Sequence, residues 1–299
     1  MRDHGLPPVF CHTVQRHNTL LFTHAHPMSA NAPFDLQNAA RIVLHCLDLT
    51  SLNDADTAAD ITALCQRAQT PYGPVAAVCV WPRFVAQARS LLPPNIRVAA
   101  VANFPHGAPD VERAVADVQQ IRAAGGDEVD VVLPYSTLMQ GPQTGQSNPA
   151  QACTDFLAQV RTTCGSLTLK VIIESGMLHS PALIAQATQL AIAAGANFVK
   201  TSTGKTPVSA TPKAAAAMLG EIARAGRQTG GPTVGFKASG GIRTVADALP
   251  YLALVAEHLG PGALSPERFR IGASSLLGDI EAVLAGNPLS TPAANSATY

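Results

Sequence analysis

Apolar, β-branched runs alternate along this chain with alanine-rich amphipathic stretches, and the alternation repeats eight times. The runs predict strands over Val43–Asp48, Val75–Val80, Val98–Ala102, Glu128–Leu133, Leu169–Glu174, Asn197–Thr201, Thr233–Ala238 and Arg268–Gly272. Between them the pattern predicts helices over Asp54–Gln69, Pro82–Leu91, Pro109–Ala124, Pro149–Thr163, Ser180–Ala194, Pro212–Ala225 and Thr244–Leu259, and one opening at Ser274. Asp54, Asp110, Ser180 and Thr244 stand where caps belong, and Pro82 and Pro212 stand in first turns. Gly125-Gly126, Gly165, Gly195 and Gly226 mark helix ends. Strands that read as continuous apolar runs are buried on both faces, which indicates a parallel sheet. Eight such units give an α/β fold, a single (β/α)8 TIM barrel. The alternative is an open doubly wound sheet, but the Gly-x-Gly-x-x-Gly expected after its first strand is absent.

The barrel is expected over residues 35–285. Residues 1–34 hold histidines and prolines without periodicity and read as a flexible extension, and Met28 is a candidate start because the regular pattern begins soon after it. Residues 286–299 read as a flexible C-terminal tail, rich in Pro, Ala, Ser and Asn, and Gln140–Asn148 reads as a loop insertion. Composition narrows the class further. The 299 residues suffice for one large core. Zero net charge implies no general attraction to nucleic acid or membrane surfaces. No apolar stretch approaches the roughly 18–20 residues of a membrane helix. Cys11, Cys46, Cys65, Cys79, Cys153 and Cys164 form no CxxC pair, and read as reduced thiols of a cytoplasmic protein. His45 reads as a satisfied core histidine and His106 as a loop residue. Neither has metal-site spacing, so no metal is expected.

Chemistry enters with the lysines. Only five occur, at 170, 200, 205, 213 and 237. Lys200 and Lys237 each end an apolar run just before a polar, glycine-containing loop. A barrel gathers its chemistry at the C-terminal strand ends, which here read Asp48, Cys79, Asn103, Asp130, Glu174, Lys200 and Lys237. Neighbouring strands lie about 4.8 Å apart, so the two amines come within roughly 5 Å. Two cations at that range repel by about 3 kcal/mol at an effective dielectric of 20. This lowers one pKa by about 2 units and leaves a usable fraction of free amine, the requirement for a Schiff-base nucleophile. The competing reading is a structural ion pair from one lysine to Asp130 or Glu174. Asp130 is a candidate inward proton-transfer group. Asp48 is either a site carboxylate or a buried acceptor that ties down the next loop. Thr201-Ser202-Thr203-Gly204-Lys205, Gly240-Gly241 and Gly272-Ala273-Ser274-Ser275 together suggest a phosphate site, the last at a helix start.

These residues also carry a resemblance. Leu47-Asp48-Leu49-Thr50, Cys79-Val80-Trp81-Pro82-Arg83-Phe84, Asn103-Phe104-Pro105, Asp127–Val132, Lys170–Glu174, Phe198–Gly204, Gly235-Phe236-Lys237 with Gly240-Gly241, and Gly272–Ser275 stand in order from residue 44 to about 280. In these motifs the chain resembles the deoxyribose-phosphate aldolases. The resemblance implies a class I, metal-free and cofactor-free aldehyde-lyase of the cytoplasm. It would interconvert 2-deoxy-D-ribose 5-phosphate with acetaldehyde and glyceraldehyde 3-phosphate, in deoxyribonucleotide catabolism. It implies Lys200 as nucleophile, Lys237 as the lysine that perturbs it, and Asp130 as the acid/base, acting with a water. Thr203, Gly204, Lys205, Gly240, Gly241, Ser274 and Ser275 would bind substrate and its phosphate, with Asp48 and Cys79 lining the site. Some family members fold a C-terminal tyrosine over the site, which gives Tyr299 a candidate role. Ser175-Gly176-Met177 replaces the more usual Thr-Gly-Glu, and the front extension and the 140–148 loop exceed the family minimum. The alternatives are another lysine-dependent barrel aldolase or a non-catalytic sugar-phosphate-binding barrel. The outer helices offer surfaces for a homo-oligomer, with no single patch marked.

Overall fold

A computed structural model describes Met1 and residues 34–140, 148–228, 231 and 233–287. The chain divides into two compact units, Met1–Ala32 and Pro33–Tyr299, and of the first only Met1 is described. The extension expected over 1–34 therefore lies outside the described residues except for Met1 and Phe34. So do Met28, Cys11, residues 141–147 of the loop, and the tail beyond Asn287 with Tyr299.

Eight parallel strands close on themselves in the second unit. They are β1 (Leu47–Thr50), β2 (Ala77–Val80), β3 (Arg97–Ala102), β4 (Glu128–Val132), β5 (Thr168–Ile172), β6 (Phe198–Lys200), β7 (Gly235–Ser239) and β8 (Phe269–Ala273). Each pairs with its neighbour in sequence, and β1 closes the ring by pairing with both β2 and β8. The expected (β/α)8 barrel is therefore the fold. Ten helices are described: α1 (Leu36–His45), α2 (Ala58–Arg67), α3 (Val85–Leu91), α4 (Val111–Ala123), α5 (Tyr135–Met139), α6 (Pro149–Cys164), α7 (Pro181–Ala193), α8 (Pro212–Gly226), α9 (Val245–Leu259) and α10 (Leu276–Leu284). The main apolar core lies between strands and helices, where the outward strand residues Val129, Val131, Val171 and Val199 meet helix residues such as Ile121, Leu157 and Leu219. No described helix is long and apolar enough to cross a membrane.

Local chemistry explains most of the boundaries. Asp110, Ser180 and Thr244 cap α4, α7 and α9, each accepting a backbone N–H three residues on. Asn148 caps α6, with Pro149 at its first position and Gly165 at its end. The expected cap at Asp54 is wrong. α2 starts at Ala58, where Thr57 and Asp60 form a reciprocal capping box: the Asp60 carboxylate accepts the Thr57 N–H and the Thr57 hydroxyl oxygen accepts the Asp60 N–H. The strand expected from Val43 is also shorter. Val43, Leu44 and His45 end α1, whose Ala39, Ala40, Val43 and Leu44 face the core at helical spacing. His45 is consequently exposed rather than a core residue, and its Nδ1 lies 2.9 Å from the Arg41 carbonyl. Pro82–Phe84 forms a 3-10 turn ahead of α3, and Gln69–Thr70 pairs with Gly73–Pro74 as a small antiparallel ladder.

Candidate active site

Alternation along each strand sends one side-chain set into the barrel bore. On β4 that set is Glu128, Asp130 and Val132; in register beside it stand Lys170 opposite Asp130, Lys200 opposite Lys237, and Lys237 opposite Arg270. The result is a buried ionic cluster running the length of the bore. Asp130 Oδ2 accepts from Lys200 at 2.9 Å and from Lys237 at 2.7 Å, and its Oδ1 accepts from Lys170 at 3.0 Å. Asp48, on β1, accepts from Lys237, from Lys170 at 3.1 Å and from Arg270 at 2.6 Å. Glu128 pairs with Lys170 and accepts from Arg270 at 2.9 Å. All seven side chains are buried. Gly272 makes the arrangement possible on β8, because a Cβ there would stand 3.0 Å from Lys237 Cε and 2.7 Å from Ser239 Oγ.

The two mouth lysines differ in a way that decides their chemistry. Burial pushes the Lys200 ammonium below the usual lysine range; Asp130 opposes this, and Lys237 reinforces it. Lys237 is just as buried, but Asp130 and Asp48 together overcome burial and hold it above that range. Lys170, among three carboxylates, is held well above. Asp130 is held well below the usual carboxylate range: burial alone would raise it, and Lys170, Lys200 and Lys237 outweigh that. Repulsion between the two lysines was the cause expected from the sequence; at Lys200 burial is the leading cause and Lys237 only reinforces it.

Charge counting gives the same answer. The cluster holds four bases (Lys170, Lys200, Lys237, Arg270) and three carboxylates (Asp48, Glu128, Asp130). A net buried charge is costly, so four bases against three carboxylates favour the loss of a proton from one base. Lys200 meets one carboxylate, whereas each of the other three meets two or more.

Above the cluster an apolar wall is built from Leu52, Cys79, Val101, Phe104, Val132 and Ile172, with Trp81 edge-on to Phe104 at 5.5 Å. Burial pushes the Cys79 thiol up to about 11, so it is a neutral lining group. Glu174, at a left-handed φ of 51°, turns to the loop after β6: Oε2 accepts from the Thr203 hydroxyl at 2.6 Å and its N–H at 3.1 Å. Thr203 thus donates to Glu174, and its oxygen accepts from the Lys205 N–H at 3.0 Å. Gly204, Gly240 and Gly241 all adopt left-handed φ near 80°, at 82°, 83° and 81°. A Cβ on Gly240 would stand 3.2 Å from Gly204 Cα, so the loops after β6 and β7 touch. Ser274 and Ser275 are exposed at the start of α10, where no side chain caps the first turn.

The site residues singled out in the sequence thus fall into two groups. Asp48, Asp130, Lys200 and Lys237 share the cluster, with Cys79 beside it. Gly204, Lys205, Gly240, Gly241, Ser274 and Ser275 lie on the loops at the C-terminal strand ends. Sequence reasoning missed Lys170, Arg270 and the part played by Glu128. Period-two parity held the signal: Lys170 is in phase with Glu174, and Arg270 with Gly272 and Ser274.

A parallel eight-stranded barrel with basic side chains buried at the catalytic end is an enzyme scaffold, and its sequence says of which kind. Residues 42–279 match the DeoC/LacD family of aldolases, and the chain belongs to that family. This places it among the carbon–carbon lyases. It is similar to a "putative deoxyribose-phosphate aldolase" from Coccidioides immitis, at 26% identity over 84% of this chain and 88% of that one, with a TM-score of 0.67. Two further structures share the fold. One is the tetrameric deoxyribose phosphate aldolase of Aeropyrum pernix, at 23% identity over 83% and 92% of the two chains, TM-score 0.63. The other is a "putative deoxyribose-phosphate aldolase" from Toxoplasma gondii ME49, at 21% identity over 85% and 96%, TM-score 0.74.

Proposed function

We propose that this enzyme is a 2-deoxy-D-ribose-5-phosphate aldolase that works through a Schiff base on Lys200. The observation that carries the reading is the asymmetry between two buried lysines on one carboxylate: Lys200 is pushed below the usual lysine range while Lys237, 2.7 Å from Asp130, is held above it.

The chemistry follows. The Lys200 amine attacks C1 of the open-chain sugar and forms a carbinolamine. Lys237 gives a proton to the departing hydroxyl, water leaves, and the positive charge moves to the iminium nitrogen. The 3-hydroxyl proton then passes through a water and Asp130 to the now neutral Lys237. The C2–C3 bond breaks, C3 leaves as the aldehyde of glyceraldehyde 3-phosphate, and the electron pair makes an enamine on Lys200. A proton from Lys237 to C2 restores the iminium. Water then adds and releases acetaldehyde and the free amine, while Lys237 regains its proton. One positive charge moves back and forth between two nitrogens, so the buried cluster keeps its net charge throughout.

The phosphate is assigned to Gly204, Lys205, Gly240, Gly241, Ser274 and Ser275, where glycine backbone and the open start of α10 offer N–H groups. Asp48 acts by holding Lys237, and Cys79 lines the pocket. This reading implies a soluble sugar-phosphate substrate and supports a cytoplasmic setting. The A. pernix tetramer supports a homo-oligomer as a further proposal.

A valine at Gly240 is expected to strain a φ of 83° and to meet Ser209 Cβ at 2.6 Å and Gly204 Cα at 3.2 Å. The loop must shift, at a cost of about 1–3 kcal/mol. Gly240→Val should raise KM for the phosphorylated sugar more than it lowers kcat, and an unphosphorylated sugar should show no such KM change.

The decisive test is trapping with acetaldehyde and cyanoborohydride, followed by peptide mass spectrometry. A reduced two-carbon adduct on Lys200 supports the reading. An adduct on Lys237 would exchange the two roles. No adduct on any lysine would leave a phosphate-binding barrel as the better account.

A further inference from the structure

The cluster does not end at the reacting amine. It continues down the bore to Arg270, which lines a cavity of about 480 Å³ at the N-terminal strand ends together with Glu128, Phe198, Arg97, Asp127 and Glu267. Arg270 is tied to the reacting end through Asp48, the carboxylate that also holds Lys237. Its Nη1 donates to Asp48 at 2.6 Å, its Nη2 donates to Glu128 at 2.9 Å, and its Nε donates to the Pro266 carbonyl. Phe198 lies against its guanidinium, 5.5 Å from centroid to Cζ.

We propose that Arg270 is a positioning residue whose fixed charge, at the floor of the barrel, keeps Lys200 the uncharged base of the cluster. The inference rests on the Schiff-base reading above. With Arg270 in place, four bases meet three carboxylates and one base is surplus. Arginine stays charged at every relevant pH, so it always occupies one of the three positions. Its grip on Asp48 also fixes the carboxylate that holds Lys237. Without the guanidinium, three lysines would meet three carboxylates, and the surplus that leaves Lys200 neutral would vanish. Lys200 would then become a third ammonium and lose its nucleophilic lone pair.

The other groups around both ends do not upset this count. Lys200 faces Asp130 on β4, Lys237 on β7 and the neutral Cys79 thiol on β2; Glu174 beyond β5 also feels the Lys200 charge, but burial raises its carboxyl and it is turned to Thr203 and Thr206. Arg270 faces Asp48, Glu128, Lys170 and the Cys46 thiol, which burial pushes up to about 12. At the cavity mouth Asp127 is paired with Arg89 and Arg97, and Glu267 is exposed.

The experiment follows the rate of Lys200 adduct formation with acetaldehyde and cyanoborohydride from pH 5.5 to 10. Arg270→Met is expected to move the half-maximal pH upward by about 1–2 units, with about tenfold or greater loss at neutral pH and recovery in alkali. Arg270→Lys restores a cation and should return most of the wild-type profile. Glu128→Gln removes a carboxylate and should move the profile the other way. The double variant Arg270→Met/Glu128→Gln again leaves one surplus base, so its profile should return toward wild type. A purely structural role for Arg270 predicts slower trapping at every pH and no rescue by Glu128→Gln. A folded Arg270→Met enzyme with an unshifted profile would overturn the proposal, as would a double variant that stays shifted. If Arg270→Met does not fold, Glu128→Gln decides alone: an acid shift supports the proposal and no shift ends it. Absence of any adduct in the wild type would overturn the aldolase reading instead.

Discussion

Lys200→Met is expected to lower kcat for sugar-phosphate cleavage by at least about 10⁴-fold, because in the proposed reaction Lys200 forms the imine, while Lys170 and Lys237 are held above the usual lysine range and do not replace it. The variant should remain folded. Methionine fills most of the lysine volume, and Lys200 is the base that the cluster does not need for charge balance. Lys170, Lys237 and Arg270 still face Asp48, Glu128 and Asp130 after the change. Thermal unfolding should therefore shift little while glyceraldehyde 3-phosphate release, followed in a coupled assay, disappears. A residual rate within about tenfold of wild type would exclude Lys200 as the nucleophile.

Lys170→Met is expected to do the opposite and strike stability first. Lys170 donates to Asp48 at 3.1 Å and Asp130 at 3.0 Å and pairs with Glu128, so it is the one lysine bound to all three carboxylates. It is fully buried, and its loss leaves oxygens of three buried carboxylates without their common donor. Breaking a buried pair from one side costs about 3–5 kcal/mol. The urea midpoint should fall by a corresponding amount, with the slope unchanged. Lys200 can offset part of the deficit by taking up a proton, so the surviving folded enzyme should react with aldehyde only at raised pH. The sign follows from the carboxylates. Asp130 is held well below its usual range in the folded protein, so its contribution is present above the unfolded value and fades as pH falls. Lys170→Met should weaken that contribution, so the stability gap from the wild type should be widest above that value and narrow as pH falls. A melt matching the wild type across this range would show that the carboxylates find other donors.

The strand and helix alternation was legible because it depends on short-range pattern, and the mouth residues were legible because a cation ending an apolar strand is conspicuous. Lys200, Lys237 and Asp130 could be placed together from strand order alone. The lower cluster was harder to read. Arg270 sits in an apolar run beside Phe269 and Ile271, and parity groups it with Gly272 and Ser274 without telling which face of the strand that is. Only the register with Lys237 and the contact to Asp48, 222 residues away, settles it. The start of β1 was misjudged for a related reason. Val43 and Leu44 suit a strand locally, but the helical phase set by Ala39 and Ala40 carries through them. Ser51, Asn53, Asp54, Asp56 and Thr57 are all eligible caps, and what distinguishes Thr57 is its reciprocal partner Asp60, three positions further on.

Unequal distribution of the ionic groups around the wall gives the barrel a seam. β1, β4, β5, β6, β7 and β8 each contribute a member of the cluster, and parting them pulls buried opposite charges away from one another. β2 and β3 contribute Ala77, Cys79, Ala99 and Val101, so parting those strands breaks backbone hydrogen bonds and apolar contacts only. Local opening is therefore easiest on that side. The amides of β2 and β3 should be the first of the strand amides to exchange with solvent, while the six tied strands wait for the whole barrel to come apart. The same side carries the apolar wall of the pocket, so the softest part of the wall is also the part that meets the carbon chain of the substrate in the proposed reaction.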